Sequence, residues 1–174
     1  MKRNSILVFL VTIFFSCQNQ QKIGFVDNGK VINEYQEKID VEAKYNQKEQ
    51  AFKHRTDSIS KAFQMEAQGV QSKFASMSQN KQQEQYQMLG QKQQMLQQQL
   101  QNEQQQMQQG YQTEIDSIIS KVKKYVQEYG KKNGYSYILG TSDNTASVMY
   151  GDSKNELSQI IIDSLNANYK KEKK

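Results

Sequence analysis

Between positions 41 and 130 the apolar residues recur at one fixed step. Val41, Phe52, Phe63 and Phe74 stand eleven residues apart, and Ile59 and Val70 keep the same interval. Further along, Leu89, Leu100, Tyr111 and Val122 repeat it, as do Leu96, Met107, Ile118 and Tyr129. Eleven residues make three turns at about 3.67 per turn, close to the α-helical ~3.6, so each series stays on one helix face. The intervening positions are polar and very often glutamine, a fair helix former with a soluble, uncharged side chain. Two such series predict two antiparallel helices rather than one rod. The stretch SMSQNK, residues 76–81, is the best place for the reversal, with Ser78 or Asn80 placed to cap the second helix. Gly69 and Gly90 are weaker candidates, because an isolated helical glycine costs only about 1 kcal/mol. At ~1.5 Å per residue each arm is expected to run on the order of 65–75 Å.

The pattern changes on both sides of this zone. KIGFVDNGKVINEYQEKID, residues 22–40, opens on a short strand at 23–26. Asp27, Asn28 and Gly29 follow as turn or N-cap residues, and Val31, Ile32 and Tyr35 begin a helix. Asn133 and Gly134 end the returning helix, with Lys131 and Lys132 near its negative dipole end. Residues 135–139 then predict a strand, 140–144 (GTSDN) a hairpin turn and 146–150 its partner strand. Ser153 and Glu156 match a capping box before a final helix whose apolar face is Leu157, Ile160, Ile161, Leu165 and Tyr169. Three short strands and two helix segments make a meagre core, which predicts oligomerisation. The expected fold is mainly α with a small β body, an α+β class. A long helical hairpin (41–130) projects from a body made of 22–40 and 131–170, and a basic tail at 171–174 follows.

Composition sharpens this picture. The chain has 174 residues, 36% hydrophobic, with a mean hydropathy of −0.91. That is too polar for a compact globule, yet 10 Tyr and 7 Phe are too many for full disorder. There is no proline, where average usage of ~5% would supply about nine. A long helix interior excludes proline, which lacks the N–H and clashes with the preceding turn.

The N-terminus reads MKRNSILVFLVTIFFSCQNQQ. Lys2 and Arg3 precede an apolar run broken only by Thr12, too short for a mature membrane span and ending at Ser16-Cys17. This resembles a lipoprotein signal peptide (1–16), after which Cys17 carries the lipid and 17–21 form a linker. An ordinary secretory signal, with Cys17 removed or incidental, is the other reading. Both place the protein outside the cytoplasm. Cys17 is the only cysteine, so an internal disulfide and a thiolate metal site are excluded.

The order of elements resembles the periplasmic chaperone family Skp/OmpH. The residues that carry the resemblance are KIGFVDNGKVINEYQE at one end and VKKYVQEYGKKNGYSYILGTSDNTASVMYGDSKNELSQIIIDSLNANY at the other. In the second, Glu156, Leu157 and Ser158 precede Leu165, Asn166 and Tyr169, as in the family pattern. The resemblance implies a homotrimer with a shared β body. It also implies three helical arms around a cavity that holds unfolded outer-membrane proteins without ATP. Met77, Met88 and Met95, near the expected arm tip, are then candidate client contacts. Packing in the seam between the arm helices is the alternative role for them. Family arms are commonly strongly basic, whereas residues 41–110 here carry 8 Lys/Arg, 6 Asp/Glu and 22 Gln, which implies weaker electrostatic capture.

No catalytic constellation emerges. His54, the sole histidine, has neither nucleophile nor orienting partner nearby in sequence and is expected on the surface. Asp143 and Asp152 flank the predicted hairpin as capping residues. GYSYILGTS lacks the lysine of a phosphate loop. No enzyme, cofactor, metal site or nucleic-acid partner is expected. A coiled-coil spacer or adaptor of the cell envelope is the alternative function.

Overall fold

A computed structural model describes residues 21–142 and 147–173. The predicted signal segment and Cys17, together with Asp143, Asn144 and Ala146, lie outside the described residues. Strand β1 (Ile23–Asp27) leads into helix α1 (Asn28–Glu34), where Asp27 Oδ1 accepts the Lys30 N–H at 3.0 Å as N-cap. The helix breaks at Tyr35, whose backbone is extended. Asn166 spans the break, accepting the Gln36 N–H at 2.7 Å and donating to the Glu34 carbonyl at 3.2 Å. Both backbone groups freed by the interruption are thereby satisfied.

Helix α2 (Gln36–Gln71) and helix α3 (Gln79–Lys132) form the hairpin. At ~1.5 Å per residue they run about 54 Å and about 81 Å, so the two are unequal, unlike the expected matched pair. The reversal begins earlier than residues 76–81, with a 3₁₀ turn at Phe74–Ser76. Ser78 occupies the N-cap position of α3, but its side chain makes no capping bond, and Asn80 lies inside the first turn. The turn is instead tied by Gln82, whose Nε2 donates to the Phe74 carbonyl at 2.8 Å and the Met77 carbonyl at 3.1 Å. Phe74 also packs on Tyr86, ring centroids 4.7 Å apart. Gly69 and Gly90 sit within helices.

The returning chain forms β2 (Tyr137–Thr141) after Gly134 turns it at φ 70°, a left-handed conformation that glycine adopts without penalty. β2 pairs parallel with β1, from Ile23 opposite Tyr137 to Asp27 opposite Thr141. The expected 135–139/146–150 hairpin is therefore corrected. Gly140 and Thr141 continue the strand instead of turning, and residues 147–150 form none. The far edge of β1 is taken by a later segment, with a bridge from Phe25 to Glu156 and the Leu157 N–H on the Phe25 carbonyl at 2.9 Å.

Helix α4 (Ser158–Glu172) closes the body. The expected Ser153–Glu156 capping box does not form. Asp152 caps a 3₁₀ turn at Ser153–Asn155, and Glu156 Oε1 accepts the Ser158 N–H at 2.9 Å. Ile160, assigned to the buried face, is 48% exposed, and Ile162 is buried in its place. Positions 158, 161, 162, 165 and 169 follow the helical period, which 160 leaves. One core joins Val26, Val31, Tyr35, Ile118, Val122, Leu157, Ile161, Ile162 and Leu165. Ser158 is fully buried at its edge and accepts the Asp27 N–H at 2.8 Å. Burial, reinforced by a hydrogen bond to Glu37, pushes the Tyr35 phenol well above its usual range.

Candidate functional site

The arm is built on tracks that share the eleven-residue step. On α3, Gln85, Leu96 and Met107 are half-buried and lead to buried Ile118. Leu89, Leu100 and Tyr111 likewise lead to buried Val122. The same two series thus serve as seam far from the body and as core within it. Opposite them, Phe52, Ile59, Phe63 and Val70 of α2 are half-buried, and no residue of α2 is buried. The seam is thin because glutamines flank it and a two-helix contact covers only one side of each side chain. The Gln-rich stretch is helical, with no globular core of its own.

A third track is charged, and the periodicity of apolar residues alone does not reveal it. Lys92, Glu103 and Glu114 on α3 stand eleven apart, as do Lys44, Arg55 and Glu66 on α2. They meet as Lys44–Glu114, Arg55–Glu103 and Glu66–Lys92, with Glu37–Lys121 a further pair toward the body. In every pair the two residue numbers add to the same value, the mark of one unbroken antiparallel register. Glu66–Lys92 inverts the sign of Arg55–Glu103 and Lys44–Glu114. A slip of one repeat would keep the apolar tracks facing each other. It would also set Glu66 against Glu103, or Arg55 against Lys92. Each exposed pair contributes little by itself, but the pattern of signs discriminates between registers that the apolar residues leave similar.

Of the three pairs on the eleven-residue track, Lys44–Glu114 is the most elaborate. The Lys44 ammonium beside Glu114 holds that carboxyl below the usual range, helped by the Tyr45 hydroxyl, which donates at 2.9 Å. Partial burial and the same Glu114 raise the Tyr45 phenol. Tyr45 crosses α3 at Gly110, where an added Cβ would lie 2.7 Å from the hydroxyl, and its ring meets Tyr111 edge-on at 5.3 Å.

Grooves open along the seam. One runs beside Tyr45, Phe52 and Met107, bounded by Arg55, Glu103 and Gln106. The next shares those last three residues and reaches Met95, Gln98 and Gln99. A third shares Met95 and continues past Lys92 and Glu66 to Met88, Leu89 and Val70. These three follow the charged track. A separate groove, lined by Glu42, Asn46, Gln104 and Gln108, shares only Tyr45 and Met107 with them.

Of the residues singled out from sequence, Met77 lies half-buried in the tip turn. Met88 and Met95 are 54% and 59% exposed and line an open groove, so they do not fill the seam. The structure joins these two and separates Met77 from them. His54 is exposed on α2, and Asp152 acts as a cap. Tyr45, Gly110 and the charged track were not picked out from sequence. The signal of the charged track was present in the spacing of Lys44, Arg55 and Glu66, whereas the crossing of Tyr45 at Gly110 depends on the register.

The sequence matches a family model for outer membrane protein (OmpH-like) over residues 22–165. None of the curated proteins matches it. Among solved structures, the fold is similar to that of a candidate outer membrane chaperone (OmpH-like) from Caulobacter crescentus CB15. The TM-score is 0.75 and the identity 15%, with 85% of each chain covered. At that identity the likeness is one of fold.

Proposed function

The chain belongs to the OmpH-like family, and from that premise we propose that it is an ATP-independent holdase of the periplasm. It binds unfolded outer-membrane proteins between helical arms and keeps them from aggregating. The observation that carries this reading is an arm without a buried residue on α2, and with Met88 and Met95 exposed along it. Methionine is flexible and polarizable, and glutamine amides both donate and accept hydrogen bonds, so such a surface adapts to many sequences. The alternative, a spacer that docks one folded partner, calls for a closed, well-packed seam.

The proposed assembly is a homotrimer through the body. A two-stranded sheet is marginal alone, and parallel strands are ordinarily covered on both faces. Here Ile23, Tyr137 and Leu139 are exposed on the sheet, and Met149 and Tyr150 are 88% and 89% exposed beside it. Pooled strands from three copies would cover this surface. Export by residues 1–16 and a lipid on Cys17 complete the proposal, the lipid adding a membrane tether. Loss of labelled-lipid incorporation in Cys17→Ser tests that part.

Dilution of a urea-denatured outer-membrane β-barrel protein into buffer, with and without this protein and without nucleotide, tests the function. Light scattering should fall to baseline near one trimer per client. Unchanged scattering at several-fold excess trimer would refute the holdase reading.

A further inference from the structure

We propose that clients lie in the trough on the charged-track side of the arm, as extended, uncharged segments. This rests on the holdase reading and adds to it the face and the chemistry. The three grooves on that side are continuous through Arg55, Glu103 and Gln106, and then through Met95. From Gln106 to Gln85 along α3 the trough spans about 32 Å. That matches about ten residues of polypeptide at ~3.3 Å each.

Three features select the occupant. The first is charge. Arg55 pairs with Glu103 and Lys92 with Glu66, while the Lys48 ammonium sits over the Tyr45 ring at 4.7 Å. Four of the five charges that line the trough are thus matched to one another, and Lys48 at its body end is the one cation beyond them, so the complementary segment is uncharged over most of its length. The second is the walls, where Gln98, Gln99 and Gln106 present amides that serve the unpaired N–H and C=O groups of an extended backbone whatever its sequence. The third is the floor of Met88, Met95 and Met107, which gives side chains an adaptable apolar contact. The groove on the other side of the arm is separate and shorter.

The test places a photo-crosslinking amino acid at Gln99 or Gln106 in the trough, at Gln104 or Gln108 in the other groove, and at Gln94 or Gln105, which are exposed and line none of these grooves. The full-length protein is used with a denatured β-barrel client. Attachment is expected at Gln99 and Gln106 and not at Gln94 or Gln105. Met88→Gln with Met95→Gln should weaken client binding about tenfold, from the loss of two exposed apolar side chains that the client would cover. Met65→Gln, 72% exposed and outside the trough, should leave binding unchanged, and circular dichroism checks that all variants keep their helices. Equal attachment at all six sites, or strongest attachment at Gln104 or Gln108 of the other groove, would overturn the assignment while aggregation is still suppressed. Absence of both attachment and suppression would instead remove the holdase reading itself.

Discussion

Gly110 offers a quantitative test of how the arm is held together. A methyl group there would stand 2.7 Å from the Tyr45 hydroxyl oxygen, while the ring carbons nearest it remain at 3.7 and 3.8 Å, ordinary contact distances. Tyr45 can swing aside only by giving up its bond to Glu114. A hydrogen bond to a charged group contributes about 1.5–3 kcal/mol, and the lower end applies at this part-buried position. Replacing a helical glycine by alanine contributes about 1 kcal/mol in the other direction. Gly110→Ala should therefore be neutral to slightly destabilising. In a Tyr45→Phe background the obstructing oxygen is gone, and the same substitution should stabilise by the full ~1 kcal/mol. Gly69→Ala and Gly90→Ala, where an added Cβ meets nothing within 4 Å, should each stabilise by about that amount in the native background. Urea unfolding followed by circular dichroism at fixed protein concentration reads all five variants. If Gly110→Ala stabilises as much as Gly90→Ala, Tyr45 does not lie across α3 and the account of the seam is wrong.

Other expectations follow from the body. Asp40 is held at about 2, below its ordinary 3.8, by the Lys173 ammonium, with Gln36 and the Tyr169 hydroxyl assisting. The contribution of this carboxylate to docking the C-terminal end of α4 is thus fully present above pH ~4 and is lost as pH falls toward 2. Amide exchange of residues 166–172 across that window measures it, and Asp40→Asn should abolish the pH dependence. Asn166→Ala removes both bonds across the α1–α2 break and should cost about 1–2 kcal/mol, with faster exchange concentrated at residues 34–38. Ile118→Ala, in the core beneath the arm, should cost about 3 kcal/mol by urea titration, more than any single substitution in the seam.

The helical arm was legible in the sequence because an eleven-residue step has one simple physical cause, a helix face that drifts slowly. The charged track obeyed the same step, yet its meaning depends on which residues face each other, and that requires the register. Short-range signals misled in the body. Residues 146–150 alternate like a strand, but β2 pairs with β1, more than a hundred residues earlier, a partner that local pattern cannot point to. Three consecutive isoleucines, Ile160 to Ile162, leave the helical phase open by one residue, and the phase was assigned to Ile160 where the core takes Ile162. Asp152 displaced Ser153 as cap because the turn is 3₁₀ and starts a residue earlier than the α-helical pattern assumes. Met88 and Met95 were picked from sequence for their position near the tip, but their exposure depends on the seam side chains filling the interface without them.

The central claim is that a long, thinly seamed hairpin stands out from a small body shared among copies. Small-angle X-ray scattering with in-line light scattering measures this most directly on the mature protein. The account predicts a mass of three chains and a maximum dimension beyond about 80 Å, the length of α3 alone. A single chain with the radius of a sphere of its mass would contradict it.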